Sequence, residues 1–322
     1  MREPRLIRYR GKYAVSWWDG ETPKRSSLRT GNKQEAERRF RDWRNAAVRI
    51  GDTVAEIMAA YLEDRKHHAT GYKTLEYNWK ALKPFFGGFA ADQIDRSQCR
   101  RYASARVAMG VGPGTIRREL GTLRAGVRWA RPLARAVFLF PANPQPKERH
   151  LTRDEYRALI AAGEKEPHIK LFAILALSTA GRAQAILDLT WDRVDFERGI
   201  IRLSGEAGRR KGRATVPMTQ EARNALLMAK EGALSDFVIE WAGHKVGSVK
   251  KGFAAACRRA GIAGVTPHVL RHSAAVWMAE AGVSMPEIAQ YLGHSNSRTT
   301  EMVYARFSPD YLRKASKALE TI

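Results

Sequence analysis

A proline-rich segment divides this chain near its middle. Pro141, Pro144 and Pro146 fall within residues 140–147, a density that excludes a continuous helix or a central strand. The stretch is typical of a linker, so we predict a domain boundary at 141–149. A length of 322 residues is compatible with two or three domains.

The charge of the chain points to a polyanionic partner. Lys and Arg number 56 against 33 Asp and Glu, a formal net charge of +23. Basic residues exceed acidic ones by 14 to 6 in 1–50, by 16 to 9 in 51–148 and by 26 to 18 in the remainder. An incidentally basic protein would have the same composition, but so even a spread favours a long contact with nucleic acid. We predict double-stranded DNA as the partner.

Composition also bears on the compartment. No run approaches the roughly 20 apolar residues that span a bilayer, and residues 1–10 lack the apolar segment of a secretory signal. The two cysteines, Cys99 and Cys257, are too few for a disulfide scaffold or a cysteine-based zinc site. We expect a cytoplasmic protein that binds no membrane.

Apolar periodicity predicts a mainly α protein with small β elements. Alternation over 6–18 and 26–31, with a turn at Asp19-Gly20, predicts a small antiparallel sheet, and a helix follows over 32–50. Asp52-Thr53 is expected to cap the next helix. Further helices are predicted at 73–86, 95–108, 115–131, 152–163, 167–179, 182–189, 219–230, 248–260, 267–281, 285–292, 298–306 and 309–319, and strands at 200–204 and 213–217. The predicted domains are 1–50, 51–140 and 150–322.

Arginines form a row on the helix predicted at 115–131. Its apolar residues lie on one face, and about 90° around the same cylinder lie Arg117, Arg124, Arg128 and Arg131. Residues 96–135 contain ten Arg, no Lys and one acid, Glu119. Such charge is more often a solvated face, but the scarcity of acidic partners favours contacts with DNA phosphates.

Two clusters in the second half carry arginine and lysine. Arg182 follows a glycine between two apolar helices, where it needs a structural ion pair or an external anion. The turn 208–213 between the two predicted strands contains Arg209, Arg210 and Lys211. Such a turn is either solvated or enters a DNA groove.

Two further clusters carry histidine and tyrosine. His268 and Arg271 lie at i and i+3 in a first helical turn, whose free N–H groups favour an anion, although a local cap is the simpler interpretation. His294 follows Gly293, a predicted helix stop. Tyr304 comes ten residues later, and the ordinary role of such a tyrosine is a half-buried core aromatic.

The order of these clusters resembles the tyrosine recombinases of the phage integrase family. The family has the same succession along its chain: an arginine, a basic hairpin, His-x-x-Arg, Leu-Gly-His and a tyrosine. The resemblance is strong over 150–310, weaker over 52–140, which resembles the core-binding domain, and weakest over 1–50, which resembles an arm-binding region. It implies a core-binding domain that is all α and an α-rich catalytic domain, joined in a C-shaped clamp on DNA.

The resemblance implies a role for each matched residue. Tyr304 is the nucleophile that forms a 3′-phosphotyrosyl link, and Arg182 and Arg271 bind the non-bridging phosphate oxygens. His268 exchanges a proton with the tyrosine, and His294 donates a hydrogen bond to the phosphate.

One matched position is ambiguous and another departs from the family. A hairpin lysine protonates the leaving 5′-oxygen in the family, and the usual spacing falls on Arg209. We assign Lys211 instead, because an arginine is a poor proton donor at neutral pH. Ala185 stands where the family often has glutamate, which puts the local packing in question but not the chemistry.

The resemblance also implies partners. These are DNA attachment sites, a homotetramer on DNA and an accessory bending or directionality factor, with no metal, cofactor or ATP. The function expected first is that of a bacterial or phage-encoded integrase of a prophage or other mobile element. The alternatives are a chromosome-dimer-resolving recombinase, a type IB topoisomerase and a non-catalytic DNA-binding relative.

Overall fold

The computed structural model describes residues 4–18, 22–45, 51–69, 71–132, 134–143, 148–203, 214–294, 296–309 and 311–320. The chain folds into two compact units, Met1–Pro146 and Lys147–Ile322. Within the described ranges, no helix is long and apolar enough to cross a membrane. Those ranges also contain no group of three or more His, Cys, Asp or Glu side chains arranged to hold a metal.

The first unit begins with a three-stranded antiparallel sheet and a helix. The strands, in the order β1-β2-β3, and helix α1 are β1 (Arg5–Tyr9), β2 (Lys12–Trp18), β3 (Pro23–Ser27) and α1 (Lys33–Asn45). Arg10 (φ 50°) and Gly11 (φ 78°) join β1 to β2. Two left-handed residues in a two-residue loop form a type I′ hairpin. The turn predicted at Asp19-Gly20 lies outside the described residues.

Four helices with one apolar core follow in the same unit. They are α2 (Val54–Lys66), α3 (Tyr72–Phe86), α4 (Arg96–Ala108) and α5 (Pro113–Ala130). The Thr53 hydroxyl accepts the N–H of Glu56 while the Glu56 carboxylate accepts the N–H of Thr53, a reciprocal cap that fixes the start of α2. The apolar face predicted on α5, Ile116, Leu120, Leu123 and Val127, is fully buried.

A buried ion pair joins α4 to α5. Glu119, 3% exposed, accepts from Arg106 Nη2 at 2.7 Å and from the Tyr102 hydroxyl at 2.6 Å. Both carboxylate oxygens are therefore occupied, which is the condition for a carboxylate to be buried at tolerable cost. The single acid among the arginines of 96–135 thus has an internal role.

The second unit is built mainly of helices. These are α6 (Arg153–Ala162), α7 (Pro167–Ser178), α8 (Ala183–Leu187), α9 (Gln220–Glu231), α10 (Lys250–Arg259), α11 (Pro267–Glu280), α12 (Met285–Leu292), α13 (Arg298–Tyr304) and α14 (Arg313–Leu319). Two small antiparallel sheets accompany them, β4 (Val194–Asp195), β5 (Ile200–Arg202) and β6 (Thr215–Pro217), then β7 (Glu240–Trp241) and β8 (His244–Lys245). The predicted fold class, mainly α with small β elements, is confirmed.

Helix α7 lies at the centre of this unit. Six consecutive residues, 171–176, are buried, and a helix that is apolar on all sides belongs in a core. Helix α11 packs against it, and its Ser273 hydroxyl accepts the backbone N–H of Leu151 at 2.8 Å. The two helices bring the loop after α7 next to the first turns of α11.

Candidate active site

Arg271 is a buried cation near the start of α11. It is 5% exposed. Its Nη1 donates to the carbonyl of Ala180 at 2.7 Å, and its Nη2 donates to the carbonyl of Leu292 at 2.9 Å. These two bonds fix the plane of the guanidinium between the loop after α7 and the end of α12.

The loop after α7 adopts a constrained backbone to make this contact. Ala180 is fully buried with φ +47°, a left-handed conformation that costs a non-glycine residue about 1–2 kcal/mol. The Thr179 hydroxyl accepts the N–H of Gly181 at 3.1 Å and so holds the turn. Such conformations persist where the surroundings determine them, often at functional sites. Arg182 follows directly and stands exposed at the start of α8.

His294 lies against Arg271 because α12 ends in a left-handed glycine. Gly293 has φ +65°, and the N–H of His294 then returns to the carbonyl of Ala289 at 2.8 Å. The His294 Nε2 is 3.0 Å from Arg271 Nη2, and its Nδ1 is 2.8 Å from the Thr300 hydroxyl. A guanidinium only donates, so Nε2 accepts and Nδ1 carries the proton. The imidazole is neutral in this arrangement.

Tyr304 is the last residue of α13 and is 8% exposed. Its hydroxyl lies 3.2 Å from Nδ1 of His272, and the two ring centroids are 5.2 Å apart. Burial raises the pKa of Tyr304, and the charge of Arg271 acts in the opposite direction. The phenol therefore packs in the core, the ordinary role for a tyrosine, and also presents its oxygen to a polar cluster.

The electrostatics of the cluster are dominated by positive charge. Burial, and then the charge of Arg182, lowers the pKa of Arg271 to about 10. Partial desolvation, followed by the charges of Arg271 and Arg182, lowers the pKa of both His268 and His294. An added negative charge, such as that of a phosphate, would offset the effect of the Arg182 charge on Arg271.

The structure thus relates five of the sequence-predicted residues to one another. The charges of Arg182 and Arg271 act on His268 and His294, and the charge of Arg182 acts on Arg271. Arg271 also acts on Tyr304. The assigned Lys211, with Arg209 and Arg210, lies outside the described residues. The segment 204–213 joins β5 to β6, where the N–H of Leu203 donates to the carbonyl of Ala214 at 3.0 Å.

Sequence reasoning assigned no role to His272. It follows Arg271 directly and lies four residues after His268, so a helix places it one turn beyond that histidine. The spacing was visible, but its contact with Tyr304 depends on how α13 packs against α11. That contact joins residues 32 positions apart, which no local pattern encodes.

The predicted arginine row on α5 has intramolecular partners. Arg117 donates to the carbonyl of Pro141 at 2.7 Å, and Arg128 donates to the carbonyl of Ala134 at 3.2 Å. Arg131 donates to the carbonyl of Gly51. The exposed Arg124 lies 4.7 Å from the centre of the Phe140 ring. At least three of these side chains therefore fasten the unit's own backbone, and their contact with DNA phosphates stays a prediction.

Comparison with known proteins gives one family. The model of the phage integrase family matches residues 149–310, half of the chain. The tyrosine recombinase XerA of Thermococcus onnurineus is 31% identical over 192 residues, which are 56% of this chain and 66% of that relative, slightly less than two thirds of its length.

Solved structures share the fold at lower identity. The Tn1549 transposon integrase in complex with transposon right end DNA is 19% identical, with a TM-score of 0.70 over 83% of this chain and 99% of the other. A lambda integrase tetramer bound to a Holliday junction is 18% identical, with a TM-score of 0.64 over 92% and 97%.

Proposed function

Because this chain belongs to the phage integrase family, we propose that it is a site-specific DNA recombinase that cuts and rejoins DNA through a 3′-phosphotyrosyl link. The observation that carries this proposal is the buried Arg271 guanidinium, which is hydrogen-bonded to two carbonyls and to His294 and acts on the pKa of Tyr304. A charge held this way is prepared for an anion that arrives from outside the chain.

The proposed reaction is a transesterification. Tyr304 Oη forms a bond to phosphorus as the bond to the 5′-oxygen breaks, and Lys211 supplies the proton to that oxygen. Arg182 and Arg271 bind the non-bridging oxygens, on which charge accumulates, and His294 turns toward the phosphate. His268 takes part in proton exchange. A 5′-hydroxyl from a second duplex then displaces the tyrosine, so bond energy is conserved without ATP.

Charge supports duplex DNA as the substrate. The first sheet exposes Arg5, Arg8, Lys12, Lys24 and Arg25, which suits the accessory DNA-binding role proposed for residues 1–50. In our proposal residues 51–140 contact one side of the duplex and residues 150–322 the other, with 141–149 as the linker of a clamp. Arg117, Arg124, Arg128, Arg131, Arg209 and Arg210 are the proposed DNA-contacting residues.

A homotetramer on DNA is the proposed working assembly, because recombination joins two duplexes at four cleavage sites. Tyr311, Leu312 and Leu319, at the C-terminal helix α14, are 49%, 62% and 72% exposed. An apolar surface left in solvent suits docking on a neighbouring protomer. An accessory bending or directionality factor and a cytoplasmic location complete the proposal.

A plasmid assay separates this function from its rivals. A supercoiled plasmid would carry two direct copies of the DNA that flanks the gene, and Tyr304→Phe would be the control. Deletion circles that require Tyr304 would support a recombinase, whereas relaxed topoisomers without exchange would indicate a type IB topoisomerase. Binding without either product would indicate a non-catalytic relative. Testing flanking DNA from the element against chromosomal dimer-resolution DNA would separate an integrase from a dimer-resolving recombinase.

A further inference from the structure

His272 is the hydrogen-bond partner of the Tyr304 hydroxyl. Its Nδ1 lies 3.2 Å from Oη, with the rings tilted by 40°. Among the side chains that the structure describes, no other is hydrogen-bonded to this hydroxyl. His268, which sequence reasoning paired with the tyrosine, is exposed one turn earlier on α11.

The His272 ring is held in place by packing. The His150 ring lies 6.4 Å from it and 5.6 Å from the ring of Phe307. His150 Nδ1 is in turn 3.3 Å from the carbonyl of Glu148. The other ring nitrogen of His272, Nε2, is buried and has no hydrogen-bond partner among the described residues. The imidazole is thus packed among aromatic rings, with Nδ1 directed at the Tyr304 hydroxyl.

The surroundings of His272 keep it neutral. Burial lowers its pKa most, and the charges of His150, His268 and Arg306 lower it further, against a smaller opposing effect of the Glu148 carbonyl. Arg306 is paired with the Glu148 carboxylate at 2.8 Å. A neutral imidazole at hydrogen-bond distance from a phenol meets both requirements of a general base, reach and protonation state.

We propose that His272 is the proton-exchange partner of Tyr304. Its Nδ1 accepts the phenol proton as Oη bonds to phosphorus and the bond to the 5′-oxygen breaks, and that oxygen takes its proton from Lys211. The imidazolium returns the proton to Oη when a 5′-hydroxyl displaces the tyrosine. The inference rests on the proposed function and adds His272 to it as the histidine that contacts Oη.

An asparagine substitution tests proton transfer apart from positioning. Asn Nδ2 or Oδ1 reaches the place of Nδ1 and keeps a hydrogen bond, but an amide accepts no proton at neutral pH. Single-turnover cleavage of a nicked duplex from the flanking DNA would be followed across pH. We expect His272→Asn to be slower by about 10²–10⁴-fold. The wild-type rate should fall at acidic pH, below the ordinary histidine pKa of about 6.5, as His272 is protonated, and this fall should be smaller in the variant, in which, of the site histidines, only His268 and His294 titrate. A variant with the wild-type rate and pH profile would overturn the proposal.

A modified substrate separates the base from the acid. A 5′-bridging phosphorothiolate has a leaving group that needs no proton, so Lys211→Ala should recover on it while His272→Asn stays slow. Recovery of His272→Asn would place it at the leaving group and overturn the proposal. His168→Asn is the matched control, because burial also lowers the pKa of His168 but its ring packs on Trp241. It should cleave at the wild-type rate.

A measurement without DNA keeps the inference separate from the proposed function. In ¹⁵N-labelled protein, Tyr304→Phe should shift the Nδ1 resonance and the pKa of His272 and leave those of His168 unchanged. An unchanged His272 would show that the hydrogen bond is absent and overturn the inference. The proposed function is tested separately: it fails if wild-type protein forms no covalent protein–DNA adduct that depends on Tyr304. If wild-type protein forms that adduct and His272→Asn cleaves at the wild-type rate, only the inference fails.

Discussion

Arg271 binds the carbonyl of Ala180, 91 residues earlier in the chain, at 2.7 Å. Ala180 holds φ at +47°, so a residue in a strained, left-handed conformation orients a buried charge. The same guanidinium also donates a hydrogen bond to the carbonyl of Leu292. Arg271 therefore connects the loop before Arg182 with the segment that carries His294, and the candidate phosphate site is assembled around it.

Replacing this arginine by lysine tests that arrangement. A single ammonium cannot bind two carbonyls and still present a fork to a phosphate. We expect Arg271→Lys to cleave DNA more slowly by about 10²–10³-fold, the usual effect of losing one transition-state donor. Arg157→Lys, at a side chain 74% exposed, should leave the rate unchanged. Equal rates for both variants would contradict the account.

The histidines predict how stability depends on pH. The pKa values of His268, His272 and His294 are all lowered in the folded protein. The unfolded chain then binds more protons as pH falls below about 6.5, so stability is lost over that window and is retained above it. Urea unfolding should show a smaller free energy of unfolding at pH 5.5 than at pH 7.5. An equal or larger value at pH 5.5 would contradict the lowered pKa values of these histidines.

The buried ion pair of the first unit predicts a large effect of a single substitution. Glu119→Ala leaves Arg106 without its carboxylate partner inside the unit, which should cost about 3–5 kcal/mol of unfolding free energy. The control Glu63→Ala removes a side chain 69% exposed, and exposed pairs contribute about 1 kcal/mol or less. Denaturant unfolding of both variants measures the difference, and a loss under 1 kcal/mol in Glu119→Ala would be contrary to the structure.

Two arginines of α5 should differ in their roles. Arg124 is exposed, whereas Arg128 is half-buried and binds backbone carbonyls. We expect Arg124→Gln to reduce the slope of log affinity for DNA against log salt by about 0.9, the value for one phosphate contact. Arg128→Gln should mainly lower the unfolding free energy. An unchanged salt slope in Arg124→Gln would remove it from the DNA interface.

The helices were predictable where local signals agree. The reciprocal Thr53–Glu56 cap, Pro267 at the start of α11 and Gly293 at the end of α12 are local chemistry, and the helices begin or end where those residues predict. The hairpins were harder to predict from the sequence. Strands β7 and β8 have two residues each, too few to show alternation. The loop Arg10-Gly11 places an arginine in a left-handed conformation that its sequence does not favour.

The order of the motifs predicts the family, but it does not predict the contacts between residues within the site. The spacing from His268 to Arg271 and the Leu-Gly-His sequence lie in short segments. The His272–Tyr304 bond and the Arg271–Ala180 bond join distant segments. A helical projection also cannot predict the carbonyls that accept hydrogen bonds from Arg117 and Arg128, because those carbonyls belong to the chain after α5.

A covalent-trap assay tests the central claim most directly. Protein, without metal or ATP, would be incubated with nicked duplexes from the DNA that flanks its gene, then denatured and resolved on a gel. We predict a protein–DNA adduct in wild type and in Tyr311→Phe, and none in Tyr304→Phe. An adduct that persists in Tyr304→Phe, or tight binding without any adduct in wild type, would contradict the assignment of Tyr304 as the nucleophile.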